Sequence, residues 1–188
     1  MSAKYWEYFL SLEDDLERCT KYVEFNPKNY ASYSNEFAKI IMSASSEFEN
    51  VAKDLCNLIS PSSNPKNIED IYPIVFGCYP KFGTVEVTIR RYKIILKPWE
   101  EWTATDRPKW WSNGYNKIKH SRTQHFEMAN LQNAILAMAG LFTTILYFHH
   151  KASGGLDIEY NREPMLFDTA ETGDFTGSGI TISYDIPV

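Results

Sequence analysis

The stretch FEMANLQNAILAMAGLFTTILYFHH, residues 126–150, is apolar on nearly every side when it is drawn as a helix. Its most apolar part, residues 134–148, is shorter than the ~20 residues that a helix needs to cross a bilayer, and it contains Thr143 and Thr144. A helix of this kind is typical of the buried centre of a helical domain. The stretch therefore predicts a core helix, and we expect no association with a membrane.

Two amphipathic segments, residues 5–25 and residues 34–59, precede this stretch. In both of them apolar residues recur at steps of three and four, which is the spacing of one face of an α-helix. Residues 26–29 (NPKN) separate the two segments, and Ser34 or Ser32 can cap the second one. We therefore predict two further helices, each of which buries one face.

The middle of the chain has a different character. Residues 84–96 (TVEVTIRRYKIIL) are rich in β-branched side chains and alternate in polarity in their first half. We predict a small β hairpin at about 84–97, within an insertion that spans 70–98. A helix is expected to resume at Pro108, since proline is favoured in a first turn, and to continue through Arg122.

The C-terminal part, residues 154–188, begins with Gly154-Gly155, which we expect to end the helical region. From residue 157 onward it contains seven acidic residues and a single basic one, Arg162. Turn residues alternate with short strand-like pieces. We predict an acidic extension that is irregular or short-stranded.

The three cysteines, Cys19, Cys56 and Cys78, are far apart in the sequence and form no CxxC pair. This spacing supports neither a zinc site nor a disulfide framework, and it is typical of reduced thiols in a cytosol. The first residues show no apolar signal segment. We expect a cytoplasmic protein with no metal and no cofactor.

The distribution of charge is uneven. The chain carries a net charge of −5, yet residues 107–126 contain five basic residues and no acidic one. These five are Arg107, Lys109, Lys117, Lys119 and Arg122. A local basic patch can attract phosphate even on an acidic protein, because salt screens more distant charges. The same lysines are also compatible with a solvated helix face that has no ligand.

Within this basic segment, Asn113, Asn116 and His120 have the spacing of one polar stripe on a helix. A second, mostly apolar stripe ends in a guanidinium group and consists of Trp111, Tyr115, Ile118 and Arg122. The arrangement places an imidazole beside an amide and several cations.

Such surroundings have chemical consequences for His120. A histidine side chain can accept or donate a proton near neutral pH, which suits acid–base catalysis. Lys119 and Arg122 could hold a phosphodiester and stabilise charge that develops on it. The structural alternative is an imidazole that caps or bridges helices while the lysines remain solvated.

The same segment resembles HEPN-like helical-bundle proteins of prokaryotes. The resemblance is carried by Trp110-Trp111, by Tyr115-Asn116-x-x-Lys119-His120-x-Arg122, and by Phe126 with Ala129-Asn130-Leu131 before an apolar helix. It implies an antiparallel four- to five-helix bundle, often a homodimer. On this basis residues 1–153 would be the HEPN-like domain and residues 154–188 an extension of it.

Many HEPN-like proteins are metal-independent endoribonucleases of defence and toxin–antitoxin systems, with an arginine, a polar residue and a histidine as their motif. The resemblance assigns the polar position to Asn116 and the histidine to His120. The motif arginine is absent, since Tyr115, Gly114 and Asn113 occupy its expected places. Either another cation substitutes for it (Arg122, Lys119 or Lys117), or the site has lost cleavage and retains binding or assembly.

Two functions follow from these considerations. The first is a subunit or scaffold of a prokaryotic defence complex, homo-oligomeric or bound to a partner protein, that binds RNA. The alternative is an endoribonuclease. Its expected catalytic residues are His120, Asn116 and Arg122. Its expected substrate-binding residues are Lys117, Lys119, Tyr115 and Asn113.

Overall fold

A computed structural model of the chain describes residues 5–154, 157–160, 162–169, 172–176, 179–184 and 186–188, with the backbone alone in 157–160, 172–176 and 179–183. Five α-helices are formed by the described residues: α1 (Trp6–Cys19), α2 (Asn35–Ile59), α3 (Ile68–Cys78), α4 (Asn116–Ser121) and α5 (Leu131–Ser153). Helix accounts for 60% of the chain, which confirms the predicted mainly helical class.

Side-chain caps determine where the longest helices begin. The Ser34 hydroxyl accepts a hydrogen bond of 3.0 Å from the backbone N–H of Phe37, so Ser34 is the N-cap of α2. The side chain of Asn130 caps α5 in the same way at Asn133. Helix α5 therefore begins at Leu131, five residues later than the sequence pattern predicts, because residues 126–128 form a 3-10 turn. It ends at Ser153, and the following residue, Gly154, has a φ of 75°, which suits a residue without a side chain.

Helix α5 occupies the centre of the core. It makes its most extensive contact with α2, and α1 packs against both. By length and composition α5 could cross a membrane, but 78% of its most apolar window is buried inside the protein. This burial is consistent with the core helix of a soluble protein, and the cytoplasmic location remains a prediction.

The predicted hairpin is present as β1 (Val87–Ile89) and β2 (Ile94–Leu96), which pair antiparallel with Thr88 opposite Ile95. Lys93 turns the chain between them with a φ of 53°. Strand β4 (Phe167–Asp168) adds to β1 and completes a three-stranded antiparallel sheet. The predicted insertion, residues 70–98, also contains helix, because its first part lies in α3.

A second antiparallel sheet forms within the C-terminal part of the chain. Its strands are β3 (Asp157–Tyr160), β5 (Thr172–Thr176) and β6 (Gly179–Ser183), with β6 in the middle. Neighbouring residues are buried against the helices: Leu166, Phe167, Tyr184 and Ile186 all belong to the same hydrophobic core as α5. The C-terminal part thus contributes to the core of the helical region.

All five tryptophans are buried, and four of them surround one phenylalanine. The ring of Phe48 on α2 lies 4.8–6.2 Å from the rings of Trp99, Trp102, Trp110 and Trp111. Two indole N–H groups are satisfied inside this cluster. Trp99 donates to the Thr143 hydroxyl at 2.8 Å, and Trp110 donates to the backbone carbonyl of Pro98 at 2.7 Å. This cluster anchors the segment that leads into α4.

Candidate functional site

The segment that precedes α4 is a π-helix, Trp110–Tyr115. A π turn is wider than an α turn, and here it allows Trp110, Trp111, Gly114 and Tyr115 to be buried together. Asn113 lies in this π turn, whereas Asn116 and His120 lie in α4. The predicted α-helical spacing therefore applies to Asn116 and His120 but not to Asn113.

The π-helix lies close to the beginning of α5. A Cβ atom on Gly114 would be 3.1 Å from Cγ of Asn133, so a side chain at this position would push against α5. The Asn133 amide is itself held by a 2.8 Å hydrogen bond to the backbone carbonyl of Met128. The close approach at Gly114 thus fixes where α4 leaves the core.

Three of the seven predicted site residues are fully on the surface, at the end of α4 and directly after it. Lys119, His120 and Arg122 are exposed, and the other polar residues of the set, Asn113, Asn116 and Lys117, are half-buried. Among the described residues, Asn113, Asn116, Lys117 and His120 have no hydrogen-bond or ion-pair partner for their side chains. These groups are therefore available to a ligand.

Tyr115, which stands at one of the expected places of the motif arginine, is buried and makes two defined contacts. Its ring packs 4.6 Å from the ring of Trp111, and its hydroxyl accepts a hydrogen bond of 3.1 Å from Nζ of Lys119. The same Nζ lies 5.0 Å from the centre of the Tyr115 ring. The hydrogen bond to Tyr115 raises the pKa of Lys119 above its usual 10.5, aided by the charge of Glu49. Lys119 is thus a positioned cation.

Arg122, which directly follows α4, is oriented by residues from outside that helix. Its guanidinium donates a hydrogen bond of 3.3 Å to the side-chain oxygen of Asn35, the first residue of α2. It also lies 5.7 Å from the centre of the Phe126 ring. Phe126 in turn makes an edge contact with Tyr33, at 5.3 Å between ring centres. The sequence does not indicate that Asn35 and Tyr33 lie near Arg122, because they are far from α4 in the chain.

Only part of the positive charge in residues 107–126 is free. Arg107 forms an ion pair with Glu69, and Lys109 pairs with Glu101 at 2.5 Å. Within the described part of the chain, Lys117, Lys119 and Arg122 have no carboxylate partner in an ion pair. We call the surface around α4 that carries these three cations and His120 the basic face; Lys117 lies on a different side of the short helix from Lys119 and Arg122.

A groove elsewhere on the surface differs from the basic face in its charge. This groove, of about 660 Å³, runs between β2 and the start of α5. Its two lysines are neutralised, since Lys97 pairs with Glu86 at 3.0 Å and Lys109 with Glu101. The groove therefore does not attract an anion, whereas the basic face does, because its cations have no carboxylate partner among the described residues.

No group of histidine, cysteine and acidic residues suited to hold a metal ion occurs among the residues that the structure describes. Comparison with known proteins finds no match to a protein family, a curated protein or a solved structure. The HEPN-like resemblance of the segment from Trp110 to Leu131 remains a prediction.

Proposed function

We propose that this protein is a HEPN-like helical subunit of a prokaryotic defence or toxin–antitoxin system, and that it binds RNA through the basic face. The observation that carries the proposal is the set of three cations, Lys117, Lys119 and Arg122, on and beside a short surface helix. They lie in a chain of net charge −5 whose other basic residues in this segment are paired with acids.

The electrostatics favour a polyanion over a single small anion. Lys119 and Arg122 are three residues apart and lie on one side of the helix, whereas Lys117 lies on another side, so a strand that crosses α4 could meet them at different phosphates. Phosphate contacts supply most of the affinity in non-specific nucleic-acid binding and act over about 8–10 Å at physiological salt. The acidic remainder of the protein therefore does not prevent local binding.

The proposal includes the finer layout that the resemblance implies, an antiparallel bundle that forms a homodimer or joins a partner protein. The mutual contacts of α1, α2 and α5 support a bundle. In a two-fold dimer of this kind, the His120 side chains of both protomers would face one cleft. A small-angle scattering measurement together with a His120→Cys crosslinking experiment tests this arrangement.

RNA binding is tested by fluorescence anisotropy with a short labelled single-stranded RNA over a range of salt concentrations. We expect Lys117→Ala and Arg122→Ala each to weaken binding and to reduce the salt dependence by the contribution of about one phosphate contact. Lys97→Ala is the matched control, because it removes a partly exposed lysine that is paired with Glu86. A wild-type protein that binds no RNA at low salt contradicts the proposal.

The exposure of His120 favours a second candidate function, a metal-independent endoribonuclease. In this reaction the ribose 2′-hydroxyl attacks the adjacent phosphate, the 5′-oxygen leaves, and a cyclic phosphate end is formed. His120 would act as the general base that takes the proton of the 2′-hydroxyl or as the general acid that protonates the leaving 5′-oxygen. Asn116 would orient a phosphate oxygen or the imidazole, and Lys119 and Arg122 would stabilise the charge that develops on the phosphate. Tyr115 stands where the resemblance expects an arginine, so these two cations would supply its charge.

Expression in cells distinguishes cleavage from binding alone. Growth arrest that His120→Ala relieves, with RNA fragments that carry cyclic phosphate ends, supports the nuclease. His125→Ala serves as the matched control, because His125 lies outside α4 and beside Glu127. Harmless expression of the wild type, alone and with its genomic neighbours, contradicts cleavage and leaves the binding role.

A further inference from the structure

Next to the basic face, two aromatic rings lie at the junction of three chain segments. Tyr33 and Phe126 meet edge to face, with 5.3 Å between their centres and an angle of 76° between their planes. Arg122 lies 5.7 Å from the centre of Phe126 and 3.3 Å from the side-chain oxygen of Asn35, two residues after Tyr33. An aromatic ring and an oriented guanidinium thus lie within one small area.

The backbone around Tyr33 is held firmly. Tyr33 forms a bridge with Asn130, and the hydrogen bonds on either side of it run from Ser34 N–H to the Ala129 carbonyl (3.1 Å) and from Leu131 N–H to the Ser32 carbonyl (2.9 Å). These bonds attach the chain before α2 to the beginning of α5. The ring of Tyr33 is therefore presented from a fixed backbone.

The ring nevertheless remains open to solvent. Tyr33 is 55% exposed, although the neighbouring Phe126 packs against the core. An edge contact allows Phe126 to cover at most one face of the Tyr33 ring. The hydroxyl of Tyr33 has no hydrogen-bond partner among the described residues. At least one face of the ring can receive another flat group.

We propose that Tyr33 stacks on an unpaired base of the RNA that the basic face holds, so that the substrate class is single-stranded RNA. The inference rests on the proposed RNA-binding function. Proteins that bind single strands combine cations that follow the backbone with aromatic side chains on which bases stack. Here Arg122 connects the cations with the aromatic rings. It is one of the three cations without a carboxylate partner, and it lies against Phe126 of the aromatic pair.

A duplex does not satisfy this arrangement. Its bases are already stacked and paired inside the helix, and only an unpaired base can turn out onto an aromatic ring. The three cations alone would bind a duplex as well as a single strand, since both offer phosphates. A preference for single strands that depends on Tyr33 is thus the property that distinguishes the stacking site from simple charge attraction.

The experiment compares binding of a short labelled oligouridine with binding of a hairpin duplex of equal charge, using the full chain. We expect the wild type to prefer the single strand and Tyr33→Ala to weaken its binding at least about fivefold, with little effect on the duplex. Tyr33→Phe keeps the ring and should bind like the wild type. Tyr8→Ala is the matched control, because Tyr8 is a comparably exposed tyrosine (44%) on α1.

A second measurement uses RNA that carries iodinated uridine, which crosslinks to a stacked aromatic side chain on irradiation. Crosslinking to a peptide that contains Tyr33, lost in Tyr33→Ala, supports the inference even where the affinity change is small. Equal binding by Tyr33→Ala and the wild type, with no crosslink at Tyr33, overturns the stacking site. If Lys117→Ala still weakens binding in that case, the proposed function stands, whereas a wild type that binds neither RNA overturns both.

Discussion

The carboxylate of Glu13, buried on α1, accepts a hydrogen bond of 2.8 Å from the backbone N–H of Leu166. The neighbouring N–H groups of Met165 and Phe167 donate to the same carboxylate at 2.8 and 3.2 Å. One side chain thus satisfies three consecutive backbone donors of the segment that leads into β4. Glu13 therefore links the C-terminal part of the chain to the helices.

Replacement of Glu13 by alanine should lower the free energy of unfolding by about 2–5 kcal/mol, because three backbone donors of this segment lose their acceptor. Urea denaturation followed by tryptophan fluorescence measures the change. Asp14→Ala is the control at the next position. Its ion pair with Arg162 is partly exposed and should contribute at most about 1 kcal/mol. Equal losses for the two variants contradict this role of Glu13.

A pair of glycine substitutions tests how tightly α5 fits the tryptophan cluster. A Cβ on Gly140 would lie 3.0 Å from ring atoms of both Trp110 and Trp99, so Gly140→Ala should destabilise the protein by about 1–3 kcal/mol. A Cβ on Gly77, in α3, would meet no side chain or other helix within 4 Å among the described residues, and Gly77→Ala should stabilise by about 0.5–1 kcal/mol. Thermal unfolding of both variants checks the signs. A stabilised Gly140→Ala protein contradicts the close fit.

The long helices and the hairpin could be predicted from sequence because their signals are local. The Ser34 cap and the spacing of apolar residues are sufficient to place α2, and the β-branched run identifies β1 and β2. Helix α3 was missed, since Pro73 lies inside it and its composition is largely apolar without a clear polar face. The π-helix was also not predicted, because over six residues the sequence pattern of a π-helix does not differ from that of an α-helix.

The candidate site was predictable to the extent that it lies in one continuous segment. All of the predicted site residues fall between Asn113 and Arg122. The ion pairs and side-chain orientations in this segment were not predictable, because they depend on residues far along the chain. Glu69 neutralises Arg107, and Asn35 orients Arg122. Only the fold brings these partners together.

The contribution of His149 to the stability of the protein should become unfavourable in mildly acidic solution. Burial of this side chain on α5 lowers its pKa below the usual 6.5. Below pH 6.5 the unfolded chain binds a proton at His149 more readily than the folded protein does, so acid favours unfolding. The loss should amount to at most about 1.4 kcal/mol per pH unit.

Denaturation of the wild type and of His149→Gln at a series of pH values between about 5 and 8 isolates this contribution. The difference in unfolding free energy between the two proteins should change with pH below 6.5 and should be constant above it. Other titrating groups are common to both proteins and cancel in the comparison. A difference that does not vary with pH contradicts the assignment to His149.

The contact between Tyr115 and Lys119 allows two effects on RNA binding to be separated, the position of the Lys119 ammonium group and its charge. Tyr115→Phe removes the hydroxyl that holds Nζ of Lys119 at 3.1 Å and keeps the ring that packs on Trp111. We expect it to weaken RNA binding moderately and to leave the salt dependence unchanged, because the cation remains. Lys119→Ala should weaken binding more and reduce the magnitude of the salt slope by about 0.7, the value for one phosphate of a single strand. If Lys119→Ala retains the wild-type slope, Lys119 does not contact the RNA backbone.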